Sequence, residues 1–310
     1  MTAARILVPI TVTAAMLSAG TSIAEPDTGR GEVAWVASAS YTVDQLRTYS
    51  GSVYSCVKAH TGSAVAPPDD KINWLRKGPT NRMAAFDDYT TTRSVGTTSI
   101  TFVIRPGFIN GLRLDGLEGI QLVATLKDAP GGTVIWTETV ELWEQATGLY
   151  ELLFSPLSNL RMVPFDNLPL SPDPELTITI TAASGAPVGV GSIMLGDWRS
   201  LLGGGTFGGV QYGARMVRKS YTYWDEKDDG TYSLIRRPSK RDVSCSVAID
   251  SEQAMYADAL LEEITDRLVA FEATDLPKYG YLNTSGFVSG DITADNFSVT
   301  TLDLTIKGSI

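Results

Sequence analysis

The chain has 310 residues, 43% hydrophobic and 19% charged, the balance of a folded protein with room for two or three domains, which excludes a disordered chain. Thirty-five acidic residues against 25 basic ones give a net charge of −10, which argues against a surface built to hold nucleic acid. Two cysteines, Cys56 and Cys245, each on a β-like run, are read as buried free thiols; with His60 as the one histidine there is no zinc site of the usual kind, and no cofactor is expected.

In chain order, Arg5, the apolar run from Ile6 to Leu17 and Ser22-Ile23-Ala24 before Glu25 imitate a secretory leader with a small-residue cleavage site. Pro9 and several threonines interrupt that run. Residues 1–30 are therefore read as an extended arm or partner-contacting strand, with a leader and secretion as the alternative. No run reaches the roughly 18 uninterrupted apolar residues that a membrane span needs.

Residues 31–86 form the next segment. Trp35, Tyr41, the strand Gly51-Ser52-Val53-Tyr54-Ser55-Cys56-Val57 and Trp74 after Pro67-Pro68 space large rings along short β-prone runs. This pattern resembles the small chitin-binding type of carbohydrate-binding module, although Val43-Asp44-Gln45-Leu46 stands where that family has Gly-Asp. The resemblance implies that Trp35, Tyr41, Tyr54 and Trp74 either stack on a glycan or form the core of a very small domain.

Residues 87–200 open with a Thr-rich connector to Gly96. Strand-like runs follow over Ser99–Ile104, Gly111–Leu114, Ile120–Leu126, Thr133–Leu142, Tyr150–Phe154, Leu176–Thr181 and Val188–Leu195, separated by turn residues such as Pro130-Gly131-Gly132. Short strands at this spacing predict a jelly-roll-like β-sandwich. The glycine run within Leu201–Gly213 lacks the Lys-Ser/Thr of a phosphate loop and reads as a linker.

Residues 201–310 predict an α+β domain. Arg215–Trp224 and Thr231–Arg236 read as a hairpin joined by Asp225-Glu226-Lys227-Asp228-Asp229-Gly230, whose order departs from a calcium-binding loop. Arg241–Ile249 is a strand, and Ser251–Leu268 a helix capped by Asp250 or Ser251. Val269–Ala273, Tyr279–Leu282, Gly286–Val288 and Phe297–Ile306 alternate again. The whole chain is thus expected to be mainly β, with abundant open strand edges.

Asn81-Arg82-Met83-Ala84-Ala85-Phe86-Asp87, the closing Lys307-Gly308-Ser309-Ile310, and Ile6-Leu7-Val8-Pro9 with Met16-Leu17 together resemble a family of tail proteins from long-tailed bacteriophages. That resemblance implies a structural component of a tail tip or baseplate, a virion protein and homo-oligomer that touches other tail and baseplate proteins and host-surface glycans. The alternative is a secreted carbohydrate-binding protein or an accessory module of a glycan hydrolase. No catalytic role is expected, because no Gly-x-Ser-x-Gly turn presents a serine to His60 and nothing selects a carboxylate pair.

Overall fold

The computed structural model describes residues 4–143, 153, 159–201 and 209–309. The strand expected over 150–154, apart from Leu153, the turn at 146–148 and the glycines at 203–205 lie outside the described residues. The chain opens with β1 (Arg5–Pro9), and a small cluster of strands follows: β2 (Ser40–Tyr41), β3 (Leu46–Tyr49), β4 (Ser52–Cys56), β5 (His60–Thr61) and β6 (Trp74–Pro79). The middle carries β7 (Ser94–Thr97), β8 (Ser99–Ile104), β9 (Gly111–Asp115), β10 (Gln121–Lys127), β11 (Val134–Glu141), β12 (Met162–Phe165), β13 (Glu175–Thr181) and β14 (Pro187–Val190). The last part carries β15 (Ser192–Ser200), β16 (Arg215–Ser220), β17 (Tyr223–Glu226), β18 (Tyr232–Ile235), β19 (Ser239–Asp250), helix α1 (Ala254–Ile264), β20 (Leu268–Glu272), β21 (Thr284–Ala294) and β22 (Val299–Gly308). The protein is mainly β.

The chain forms two compact units. One comprises residues 11–109 and 113–193; the other comprises residues 1–10, 110–112 and 194–310. In the first, β8, β13, β10 and β11 form a four-stranded antiparallel sheet. Alternate residues of β10 and β13 are buried, Leu122, Ala124 and Leu126 beside Leu176, Ile178 and Ile180, as a half-buried sheet requires. Phe86 meets Phe102 of this sheet edge-on at 5.5 Å. The run expected over Val188–Leu195 is two strands, broken at Gly191, where a Cβ would come within 2.6 Å of the Thr90 carbonyl oxygen.

Seven strands of the second unit run in the order β15-β1-β20-β21-β22-β19-β16, every neighbouring pair antiparallel. Of residues 1–30, read as an extended arm or partner-contacting strand, Arg5–Pro9 form an inner strand of this sheet. Leu7 of β1 lies opposite Trp198 of β15 on one side and opposite Ala270 of β20 on the other. Both faces are buried. Ile6 and Val8 join the core that includes Val247, Leu260, Phe271 and Leu304, whereas Leu7 packs with Met194, Leu268 and Ala270. A strand covered on both faces reads as a continuous apolar run, the same signature as a leader, which is why sequence alone misplaces it. Two further contacts hold it. Arg5 donates from Nε to Glu272 at 2.6 Å with its guanidinium 4.6 Å from the Trp198 ring centre, and a Cβ at Gly196 would collide with the Val8 carbonyl.

α1 lays Ala257, Leu260 and Ile264 on the same core. It is shorter than expected, because Ser251–Gln253 form a 3-10 turn and Leu268 already begins β20. Neither Asp250 nor Ser251 caps it by the expected side-chain bond; the Ser251 hydroxyl donates to the Asn296 carbonyl instead. Tyr279–Leu282, expected as a strand, belongs to a 3-10 helix that Pro277 opens, since proline pre-sets the backbone angle of a first helical turn.

Truncating Ile6 to alanine should lower stability by about 2–5 kcal/mol, because no neighbour can refill the middle of a sheet. A urea melt of the full chain reads this as a lower midpoint; an unchanged midpoint would remove β1 from the core. Cys56 and Cys245 are free and buried, and burial with Asp303 nearby pushes the Cys245 thiol up to about 12. The native chain should therefore resist alkylation of Cys245 at pH 8 and take two labels after denaturation without reductant. Labelling of native Cys245 at pH 8 would contradict its burial.

Candidate functional site: a closed aromatic module and an open aromatic ribbon

The four rings singled out by sequence come together around β3, β4 and β6, a three-stranded antiparallel sheet, with β2 and β5 paired beside it. Tyr41, Tyr54 and Trp74 are 4, 7 and 3% exposed and form one cluster with Cys56, against which the half-buried Trp35 packs. Tyr41, Trp74 and Trp35 each lie against another ring. Tyr41 meets Trp74 at 4.9 Å and 74°, His60 meets Trp74 at 5.5 Å and 84°, and Trp35 meets Tyr49 at 5.5 Å and 90°. Such edge-on contacts suit ring quadrupoles and let a few side chains serve as a whole core. The Tyr41 hydroxyl both donates to the Val36 carbonyl and accepts from its N–H, each at 2.7 Å.

Three of the four proposed stacking platforms thus present no open face, and the stacking role is corrected for Tyr41, Tyr54 and Trp74 in this arrangement. Spacing along a strand cannot tell an inward ring from an outward one when both faces carry aromatics. His60 lies with Nδ1 2.9 Å from the Lys58 carbonyl, and since a carbonyl only accepts, Nδ1 carries the hydrogen. Cys56 donates to the same carbonyl at 3.2 Å, so both groups are committed to the turn Val57–Ala59. Burial raises the Cys56 thiol, the opposite of what an activated nucleophile needs.

The motif Asn81–Asp87 is explained by a knot of hydrogen bonds. Asn81 donates from Nδ2 to Asp27 at 2.8 Å and to the Val95 carbonyl at 3.0 Å, and accepts from the Val95 N–H at 3.0 Å. Its backbone N–H reaches Glu32 at 2.7 Å. Ser94 closes the knot by donating to the Asn81 carbonyl at 2.7 Å and accepting from Ala85 N–H. Asn81 is therefore a fastener between residues 27–32, the end of the aromatic module and the start of β7.

The second feature was legible only as a hairpin. β17 and β18 pair from Tyr223 opposite Ile235 to Glu226 opposite Tyr232, and no third strand joins them among the described residues. Lys227 N–H bonds the Thr231 carbonyl, and Gly230 takes the positive φ of 78° that the turn demands, so the expected Asp-Gly turn is present. Tyr223 and Ile235 share one face; Trp224, Leu234 and Tyr232 share the other, where Trp224 and Tyr232 stack at 5.1 Å. Tyr223, Trp224, Tyr232 and Ile235 are all more than half exposed. The sequence signal lies in the alternating rings on both strands, but it does not disclose that they are left exposed among the described residues.

Elsewhere, a cavity of about 70 Å³ lined by Thr274, Tyr279 and Tyr281 is too small for a sugar ring. No group of three metal-ligating side chains occurs among the described residues. Among the described residues no helix is long and apolar enough to cross a membrane.

Replacing Trp74 by alanine should cost about 3–5 kcal/mol and melt the module early, because a core ring is lost. A thermal melt beside a glycan array checks this: a stable variant that had lost glycan binding would restore the stacking role. Compared with known proteins, the chain matches no family model, no curated protein and no solved structure.

Proposed function

We propose that the chain is a structural component of the tail tip or baseplate of a long-tailed bacteriophage, with the aromatic module as scaffold and the β17–β18 ribbon as an assembly surface. The observation that carries this reading is the ribbon itself. A two-stranded ribbon is at best marginally stable alone in water, and one with large apolar side chains exposed on both faces gains most from burial by other subunits. The resemblance of Asn81–Asp87 and of the chain ends to tail proteins points the same way. So does the packing of β1: cleavage before Glu25 would remove a strand whose side chains fill a core, so residues 1–24 fit a leader poorly.

The test is to produce the full chain with a C-terminal epitope during phage growth and to purify particles by density gradient. The chain should co-sediment with particles, carry gold label at the distal end of the tail and keep its residues before Glu25. Finding it only in the medium, beginning at Glu25, would overturn the reading in favour of secretion.

A further inference from the structure

The ribbon's charges are segregated along its length. Its tip carries Asp225, Glu226, Asp228 and Asp229 against Lys227, whereas its base, where it leaves the sheet, carries Arg218, Lys219, Arg236, Arg237, Lys240 and Arg241. The base concentrates like charge in a way a ladder does not favour: Arg218 lies directly opposite Arg241, and Lys219 directly opposite Lys240. Asp242 lies 2.7 Å from Lys219 and 3.5 Å from Lys240. Burial opposes ionisation of Asp242, but the bonds from Lys219 and the Gly308 N–H and the charge of Lys240 outweigh it and hold its carboxyl below the usual range. Arg218, Arg236 and Arg237 are exposed and have no ion-pair partner among the described residues.

The outer acids of the tip do not reach the base within one copy. Asp228 and Asp229 lie beyond Thr231, which chain spacing puts about 17–20 Å from Arg236 and Arg237, whereas Asp225, opposite Ser233, is about 10–13 Å from them; exposed charges act over roughly 10 Å at ordinary salt. A surface with a cationic base, two apolar faces and an anionic tip is, however, complementary to itself when laid end over end. In that arrangement each acidic tip meets an arginine cluster and the stacked Trp224 and Tyr232 gain a cover. We propose that the partner of the ribbon is a second copy of this chain, the acidic tip of one seated on the cationic base of the other. This rests on reading the ribbon as an assembly surface, and it names the occupant. The chain's net charge of −10 makes the cationic base a local exception that steers the tip to one place.

Sedimentation of the full chain across a concentration series tests it at about 0.01 M and about 1 M salt, between which the screening length falls from about 30 Å to about 3 Å. The wild type should associate at low salt and dissociate at high salt. A tip variant (Asp225→Lys, Asp228→Lys, Asp229→Lys) and a base variant (Arg236→Glu, Arg237→Glu) should each lose association by roughly tenfold or more when alone. Both should keep the circular dichroism of the wild type, because the altered side chains are exposed. Mixing the tip variant with the base variant should restore association, since the mixed pair seats the lysine tip of one on the glutamate base of the other and the unchanged acidic tip on the unchanged arginine base. A wild type that is monomeric at low salt, or variants that associate undiminished, or a mixture without rescue, would overturn the proposal. Association through another surface, untouched by either variant, would also overturn it while leaving the tail assignment to the particle experiment.

Discussion

The seven sheet strands of the second unit depend on one five-residue strand among them. Without β1, β15 and β20 would face each other across a gap one strand wide, each with a row of unpaired backbone N–H and C=O groups. The strand also fills two cores at once, Ile6 and Val8 on one face and Leu7 on the other. Its fit is specific as well as apolar. The Arg5–Glu272 pair would leave a carboxylate only 3% exposed without a partner if Arg5 were lost, which costs far more than the pair itself contributes.

The other unit solves a different problem. A module of a few short strands buries too little surface to be stable alone, so its rings must pack on one another and its ends must be tied to something larger. Tyr41, Tyr54 and Trp74 do the first, and Asn81 does the second by using its side-chain carbonyl and amide together. Ala84 and Ala85, both buried, follow directly, and Phe86 carries the chain onto Phe102. The motif Asn81–Asp87 that drew the resemblance is thus the fastening between module and sheet, with a physical reason for Asn81, Ala84, Ala85 and Phe86.

Much of this was legible in the residues. Alternation over Ser99–Ile104, Ile120–Leu126 and Leu176–Thr181 placed the strands of the four-stranded sheet almost to the residue, because one face of that sheet is buried and the other is not. The same rule failed at Ile6–Pro9, where both faces are covered, and at Tyr279–Leu282, where local proline chemistry outweighed the alternation. It also passed over β12, whose Pro164 hides a short strand. For the candidate site, spacing found the rings of the module but not their direction. For the ribbon it found the turn but not the exposure, since what covers a residue is decided by elements far away in sequence.

β1 has a consequence for the order in which the molecule is made. Its partners lie about 190 and 265 residues further along, so its pairing closes very long loops among the described strands. As the chain leaves the ribosome, residues 11–193 can complete nearly all of their contacts while Ala4 to Pro9 still wait for a place. Both edges of this apolar strand stay unsatisfied until Ser192–Ser200 emerges, and one of them until Leu268–Glu272 follows. A segment that stays sticky for most of synthesis is where a chaperone, or the strand of a neighbouring nascent chain, has the longest opportunity to bind.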